Sequence, residues 1–517
     1  MNHSLKASAL ASALAGILGF APTLSADQFV LAQPVLSDVQ TGQPHSDFAP
    51  RADEPSLIEA DGEGESPELF DAPENEAAAD ETAATIEELT EKLEALQSDW
   101  DDFQEGLDKK AAAAKKKPST SINGRVHIDN WNFAETDPGI NIIENGDPNH
   151  DPEDRWTFRR LRMEMKGDVP GDMFWRMQID FNRPSTPEIK DAYIGWAALP
   201  GNNRLILGNQ KRPLGLDHLN SSRFNVFAER PLAVESFNED ARRFGLAMYG
   251  HNDEESIGWA YGIYNLENIN TSGRFIGDAL QMGGYARIWA SPWYDETSGG
   301  RGYWHLGLAG AVAKPDGDGE TDLDDNNNEG RFRTRPLARS SQRWLNTGRI
   351  EGADWYEVVA FESIFNVGSL QITGEYFLTP MQRDNVAIDD DLFFHGGYVY
   401  VSYFLTGEFN PYKRSNGVLD RVKPFENFFL VDRCRGGCGW GLGAFQVAAR
   451  YDHLDLSDSN IQGGVADMAT LGFNWHWTAY SKVQTNLIWG NIEDNAAAAP
   501  FDGGDFMIWG MRYMVDF

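Results

Sequence analysis

The residues able to do chemistry in this sequence are arginines and lysines set on alternate positions of short apolar runs. Arg160, Arg162 and Lys166 alternate with Leu161, Met163 and Met165. Arg176 stands in Trp175-Arg176-Met177-Gln178-Ile179-Asp180-Phe181, and Arg450 in Phe445-Gln446-Val447-Ala448-Ala449-Arg450-Tyr451. Arg287, Lys482 and Arg512 hold the same parity in their own runs. A guanidinium offers a planar fork of N–H donors and an ammonium a compact charge, so such a row suits reversible binding of oxyanions such as phosphate. Glu164, Asp180, Asp191, Glu375 and Asp452 share the same side, which makes the row mixed in sign. Lys211, Arg212, Arg223 and Arg230 form a second basic group, interleaved with Asp217, Glu229, Glu235, Glu239 and Asp240.

Bond-making chemistry finds no motif. The sequence has no Gly-rich phosphate loop, no His-Glu-x-x-His and no serine elbow, and its 10 histidines are scattered. No enzymatic activity, metal or cofactor is expected. The acidic run from Asp316 through Glu329 lacks the glycine and terminal glutamate spacing of a calcium loop, so a solvated loop is expected. The basic stretch that follows, Arg331, Arg333, Arg335 and Arg339, either dips into a pore mouth or meets anionic lipid headgroups. Cys434 and Cys438 have three residues between them, not the two of a redox pair, and in an exported chain a small disulfide-closed loop is expected.

The elements that carry the alternating charges read as strands. Alternation recurs beyond Ser121, separated by Gly, Asn, Asp and Pro clusters, as in Asp168-Val169-Pro170-Gly171-Asp172. Several runs keep the pattern for about eight to eleven residues, the length of a tilted membrane-crossing strand, with aromatics toward their ends. A secreted sandwich would have shorter strands. Lipid tolerates only a closed sheet, since a free edge leaves peptide groups unpaired. The expected class is therefore all-β, a transmembrane antiparallel β-barrel of about 16 strands over 122–517. Its apolar face meets lipid and its charged face lines a lumen.

Upstream the composition changes. Residues 1–26 read as a secretory signal peptide, with Lys6 its one charge and cleavage expected after Ala26 or Ala32. Residues 27–85 are rich in Asp, Glu, Pro, Ala and Ser, a composition expected to stay disordered. Between 27 and 117 there are 24 acidic against 7 basic residues, about half of the net charge of −35, and an acidic chain of this kind is not expected to bind nucleic acid. Ile86, Leu89, Leu93, Leu96, Trp100, Phe103 and Leu107 follow at alternating spacings of 3 and 4, an a/d seam over 86–108. It predicts either an oligomerising coiled coil or an amphipathic helix lying on the next domain. An Ala/Lys linker over 109–121 ends the segment.

At this point the sequence resembles a known family. Gly124-Arg125-Val126, Phe158-Arg159-Arg160-Leu161-Arg162 and Asp191-Ala192-Tyr193-Ile194-Gly195 are similar to the phosphate-selective porin O and P family. So are Leu207-Gly208-Asn209-Gln210-Lys211-Arg212-Pro213, Glu229-Arg230-Pro231, Gly417-Val418-Leu419-Asp420-Arg421-Val422-Lys423-Pro424, and the ending Met511-Arg512-Tyr513-Met514-Val515-Asp516-Phe517. The resemblance implies a sixteen-stranded trimeric porin in a Gram-negative outer membrane, with its N-terminal segment in the periplasm, passing small anions such as phosphate by diffusion. The terminal Phe517 resembles the barrel-assembly signal read by the assembly machinery. The family also implies an inward loop after Lys211 in which Lys211, Arg212, Arg223 and Arg230 form a basic constriction. The alternative is a charge-paired wall that holds that loop. A further alternative for the whole chain is a tethering barrel whose coiled coil binds an envelope partner.

Overall fold

The computed structural model describes residues 76–115, 117–270, 281–315, 330–384, 391–432 and 437–517. The signal peptide, most of the acidic segment, the run 316–329 and Cys434 with the Cys438 side chain lie outside the described residues. Two compact units divide at Thr90/Glu91.

Helix α1 spans Glu76–Lys115. It begins ten residues before the predicted seam and runs past its end, because Ala77–Ala79 and Ala111–Ala114 are strong helix formers that add turns without needing a partner. Leu89, Leu93, Leu96, Trp100, Phe103 and Leu107 are all exposed, at 45% or more. The Ile86 side chain lies outside the described ones.

The remainder builds one closed antiparallel barrel of sixteen strands. In chain order these are β1 Ser121–Thr136, β2 Arg155–Val169, β3 Met173–Asp180, β4 Glu188–Leu199 and β5 Asn203–Lys211. Next come β6 Arg242–His251, β7 Ile257–Asn265, β8 Met282–Tyr294, β9 Gly302–Ala313 and β10 Ala353–Val367. The last six are β11 Leu370–Arg383, β12 Leu392–Phe404, β13 Ala444–Asp458, β14 Ile461–Thr478, β15 Ser481–Asn495 and β16 Gly504–Asp516. Strand β16 pairs back onto β1, from Asp516↔Arg125 to Phe506↔Thr136. Phe517 finishes the seam: it exchanges two backbone hydrogen bonds with Gly124, at 2.8 and 3.1 Å. Its ring covers Gly124, where a Cβ would come within 2.3 Å of it.

Alternation does what the sequence predicts on the outer wall. Trp156, Phe158, Trp355 and Phe393 are exposed toward one end of the strands, and Trp293, Trp304, Tyr403 and Phe517 toward the other. These are the two aromatic girdles of a membrane barrel. The end carrying both barrel termini has short turns, such as 170–172, 200–202 and 368–369, while the opposite end has the long loops 137–154, 212–241 and 314–352. Short turns mark the periplasmic side and long loops the outside.

The lumen departs from the simple pattern. Inward-facing Val358, Ala360, Phe377, Met381 and Phe394 are buried and apolar. They pack against two loops that fold into the barrel, through Phe237 on Phe377 at 6.0 Å between ring centres and Phe332 on Phe394 at 5.6 Å. The outer part of the bore along β10–β12 is thus filled with an apolar core. The larger cavities lie on the side of β2–β8.

Candidate functional site

The loop over 212–241 crosses the lumen and is pinned at three places. Gly215, at φ 78, turns the chain into the short helix α2, Leu216–Leu219. The Glu375 carboxylate accepts the first helical N–H groups, from Leu216 at 2.6 Å and Asp217 at 2.9 Å, together with the Tyr398 hydroxyl at 2.7 Å. The Lys211 ammonium spends its three donors on the opposite end, on the carbonyls of His218 (2.5 Å), Leu219 (3.1 Å) and Asn220 (3.1 Å). Across the bore, Arg512 holds Asp129 and Glu229, each at 2.6 Å.

Three cavities follow one another down the open side. An outer vestibule of about 320 Å³ lies between β2–β4 and the loop residues Arg333, Arg335, Arg339 and Arg343. A neck of about 80 Å³ comes next, and Lys211 lines both it and an inner vestibule of about 330 Å³. The basic stretch after Gly330 therefore dips into the outer mouth. Glu144 holds it there, accepting from the backbone N–H of Ser341 (2.6 Å) and Gln342 (3.0 Å) and from Trp344 Nε1 (2.8 Å). Burial, with neighbouring Arg339 and Arg343, pulls Arg335 down to about 9, and burial with Arg159 pulls Arg339 down to about 10. Both shifts register cations crowded together in a poorly solvated site.

Charge converges in the neck. Arg159, Arg160, Arg162, Lys190, Lys211, Arg230 and Arg242 line it, against the two carboxylates Glu235 and Asp240. Five of these cations are committed to carboxylates: Arg159 to Glu229 (2.6 Å), Arg162 to Asp180 (2.6 Å), Lys190 to Glu188 (2.5 Å), Arg230 to Asp217 (3.2 Å) and Arg242 to Asp191 (2.6 Å). Arg160 and Lys211 have no carboxylate partner among the described residues. Arg160 reaches the Nδ1 of His127 at 3.4 Å, and Lys211 reaches the three carbonyls above. His218, also on the neck, is pulled down to about 4 by burial, which outweighs its contact with Glu235.

Two of the neck cations were hidden from parity. Between His127 and Ile128 the register skips Arg159, and between Met177 and Ile179 it skips Lys190 and Asp191. A bulge turns two successive side chains to one face, so Arg159 joins Arg160 and Lys190 joins Asp191 inside. The doublets Arg159-Arg160 and Lys190-Asp191 within otherwise alternating runs were the available signal.

The other sequence-picked cations scatter. Arg176, paired to Glu164 at 2.6 Å and Asp191 at 3.4 Å, and Arg287, paired to Glu362 at 2.7 Å, line the inner vestibule. Arg223, 3.3 Å from Asp516, and Lys482, bonded to the Asn225 carbonyl at 2.7 Å, sit together at a separate small cavity. Arg212 joins Tyr285 (2.8 Å) to the Glu239 carbonyl (3.0 Å), and Arg450 joins Asp452 (2.6 Å) to the Glu229 carbonyl (3.0 Å). Arg212, Arg450 and Arg512 line none of the three cavities; they are struts of the loop. Lys166 is exposed on the periplasmic stretch of β2.

One wall of the path had no counterpart in the sequence reading. Residues 410–419 follow β12 on the periplasmic side yet turn back into the bore. Tyr412 stacks on Tyr303 at 4.9 Å, Asn410 bonds Gln371 at 3.0 Å, and the Asn416 and Gly417 carbonyls accept from Arg287.

The family model described as phosphate-selective porin O and P matches residues 122–517. Porin O of Pseudomonas aeruginosa is 25% identical over 446 residues, covering 78% of this chain and 90% of that protein. An uncharacterized protein of Caulobacter vibrioides is 24% identical over 408 residues, covering 77% and 74%. Among solved structures, an anion-selective porin from Comamonas acidovorans matches with a TM-score of 0.43 and 14% identity, over 77% of this chain and all of that one. A closed sixteen-stranded barrel with this family match is a channel of the Gram-negative outer membrane. The resemblance noted in the sequence holds over the whole barrel, and the chain belongs to the phosphate-selective porin O and P family.

Proposed function

We propose that the barrel passes small anions by diffusion and favours phosphate among them. The observation that carries this reading is the neck, where Arg160 and Lys211 face the path without a carboxylate while their five basic neighbours are neutralised. A cation held in a narrow, poorly solvated passage is costly unless an anion meets it. Arg339 in the outer vestibule, with no ion-pair partner among the described residues, gives an anion its first stop. Arg204 and Lys413 in the inner vestibule give it the next. Of the sequence-picked set Arg160 is the anion-contacting member, Lys211 adds its charge while its donors stay on the loop carbonyls, and Arg162 and Arg230 remain paired to Asp180 and Asp217. Arg212, Arg450 and Arg512 act through the loop they position.

Single-channel recording with chloride, then with added phosphate, tests this. Phosphate is expected to interrupt the chloride current in a saturable way. A chloride current indifferent to phosphate would reject the phosphate preference.

The exposed stripe of α1, from Leu89 to Leu107, supports a second element of the proposal. Three such helices would bury their stripes against each other in a homotrimer. A tethering role, with an envelope partner on that stripe, is the competing reading. A chain lacking residues 27–117 that stays trimeric, conducts normally and loses an envelope phenotype would favour tethering.

A further inference from the structure

The two vestibules have nearly equal volumes, about 320 and 330 Å³, but walls of different kinds. The outer wall is mostly charged, with Leu337 and Ala338 its apolar residues. The inner wall carries three rings, Tyr193, Tyr249 and Trp289, with Ile206, Leu219 and Val418 between them. Rings and aliphatic groups contribute nothing to a hydrated inorganic ion, whose shell they cannot replace. They stabilise a solute that has apolar surface to bury.

The cations of the inner wall are not equivalent. Arg176 and Arg287 are committed to carboxylates, and Asp191, the wall's one carboxylate, is held by Arg242 at 2.6 Å and Arg176 at 3.4 Å. Arg204 has no carboxylate partner among the described residues. Its guanidinium lies 5.3 Å over the Tyr249 ring, and its Nη2 donates to Asn416 at 3.2 Å. A guanidinium without a carboxylate, stacked on one ring in a wall that holds another, is a head-and-body arrangement: the cation takes an oxyanion, the rings take what it is attached to.

We propose that the inner vestibule is a binding subsite for small aryl oxyanions, with the anionic head on Arg204 and Lys413 and the ring against Tyr193 and Tyr249, Trp289 being covered by Arg287. This rests on the anion-channel reading and narrows it to a class of organic solute. Aryl phosphates and aryl carboxylates share the chemistry, and paired probes separate them.

The test is block of the chloride current of the full-length protein in planar bilayers by phenyl phosphate against inorganic phosphate, and by benzoate against acetate. Each aryl probe is expected to half-block at a concentration about tenfold below its non-aromatic counterpart, a gap worth one ring contact. A gap for only one pair assigns the head group. Tyr193→Ala is expected to close the gap while leaving block by inorganic phosphate in place, and Val418→Ser, on another element of the same wall, is expected to narrow it. Anion preference with equal block by aryl and plain probes overturns the subsite alone, as does a gap that neither substitution changes. Cation preference overturns the channel reading and the subsite with it.

Discussion

Arg160 Nη1 lies 3.4 Å from Nδ1 of His127, which carries no negative charge and is the one hydrogen-bond partner of the 2%-exposed Arg160 side chain among the described residues. The pairing leaves the full charge of Arg160 facing the neck. Arg160→Gln is expected to lower the anion-over-cation permeability ratio by roughly 5- to 30-fold, from about 1–2 kcal/mol of lost interaction. Reversal potentials in a salt gradient check this; an unchanged ratio would move the selectivity elsewhere.

Arg512 makes the opposite prediction. It is buried against Asp129 and Glu229 and lines none of the three cavities. Arg512→Ala leaves Asp129 without its cation and Glu229 with Arg159 alone, which costs about 3–5 kcal/mol for a broken buried pair. The barrel should unfold at lower urea, while channels that do assemble keep more of their anion preference than Arg160→Gln does. A larger selectivity loss in Arg512→Ala would reverse the assignment of strut and ion contact.

Glu375→Gln tests how the loop is held. The carboxylate accepts from Leu216, Asp217 and Tyr398. An amide keeps one acceptor and sets an N–H against backbone donors, a loss of about 1–3 kcal/mol. Single-channel conductance should rise or flicker as the loop loosens. A steady conductance at the wild-type level would show that Lys211 and Arg512 suffice.

The neck charge is expected to be flat with pH. His218 is pulled down to about 4 by burial, and Asp240 is held at about 2 by Lys190, Arg243 and Arg343 against the opposing effect of burial. Between pH 8 and 5 the ring stays neutral and the carboxylate charged; only on approaching pH 4 does the ring gain a proton and anion preference increase. Reversal potentials against pH check this, and a step centred near pH 6.5 would contradict it.

The barrel was legible because hydrocarbon and water impose a strict period of two on every strand, from Leu161 to Phe517. The cation-lined wall was legible to the same extent, which is why Arg160 and Arg162 could be picked out and Arg159 and Lys190 could not. A bulge is a local exception to parity, and only the adjacent charges hint at it. The roles of Arg212, Arg450 and Arg512 were not legible, because a strut and an ion contact look alike until the loop carbonyls and Glu229 are in place. The inward path of 410–419 depends on partners such as Tyr303 and Gln371, over 30 residues away in the chain, which no local pattern encodes.

The zero-current potential of the purified full-length protein across a tenfold potassium chloride gradient is the most direct test. The uncompensated pair Arg160 and Lys211 predicts the sign of a chloride-preferring channel, shifting toward zero in Arg160→Gln. A potassium-preferring sign in the wild-type protein would contradict the account.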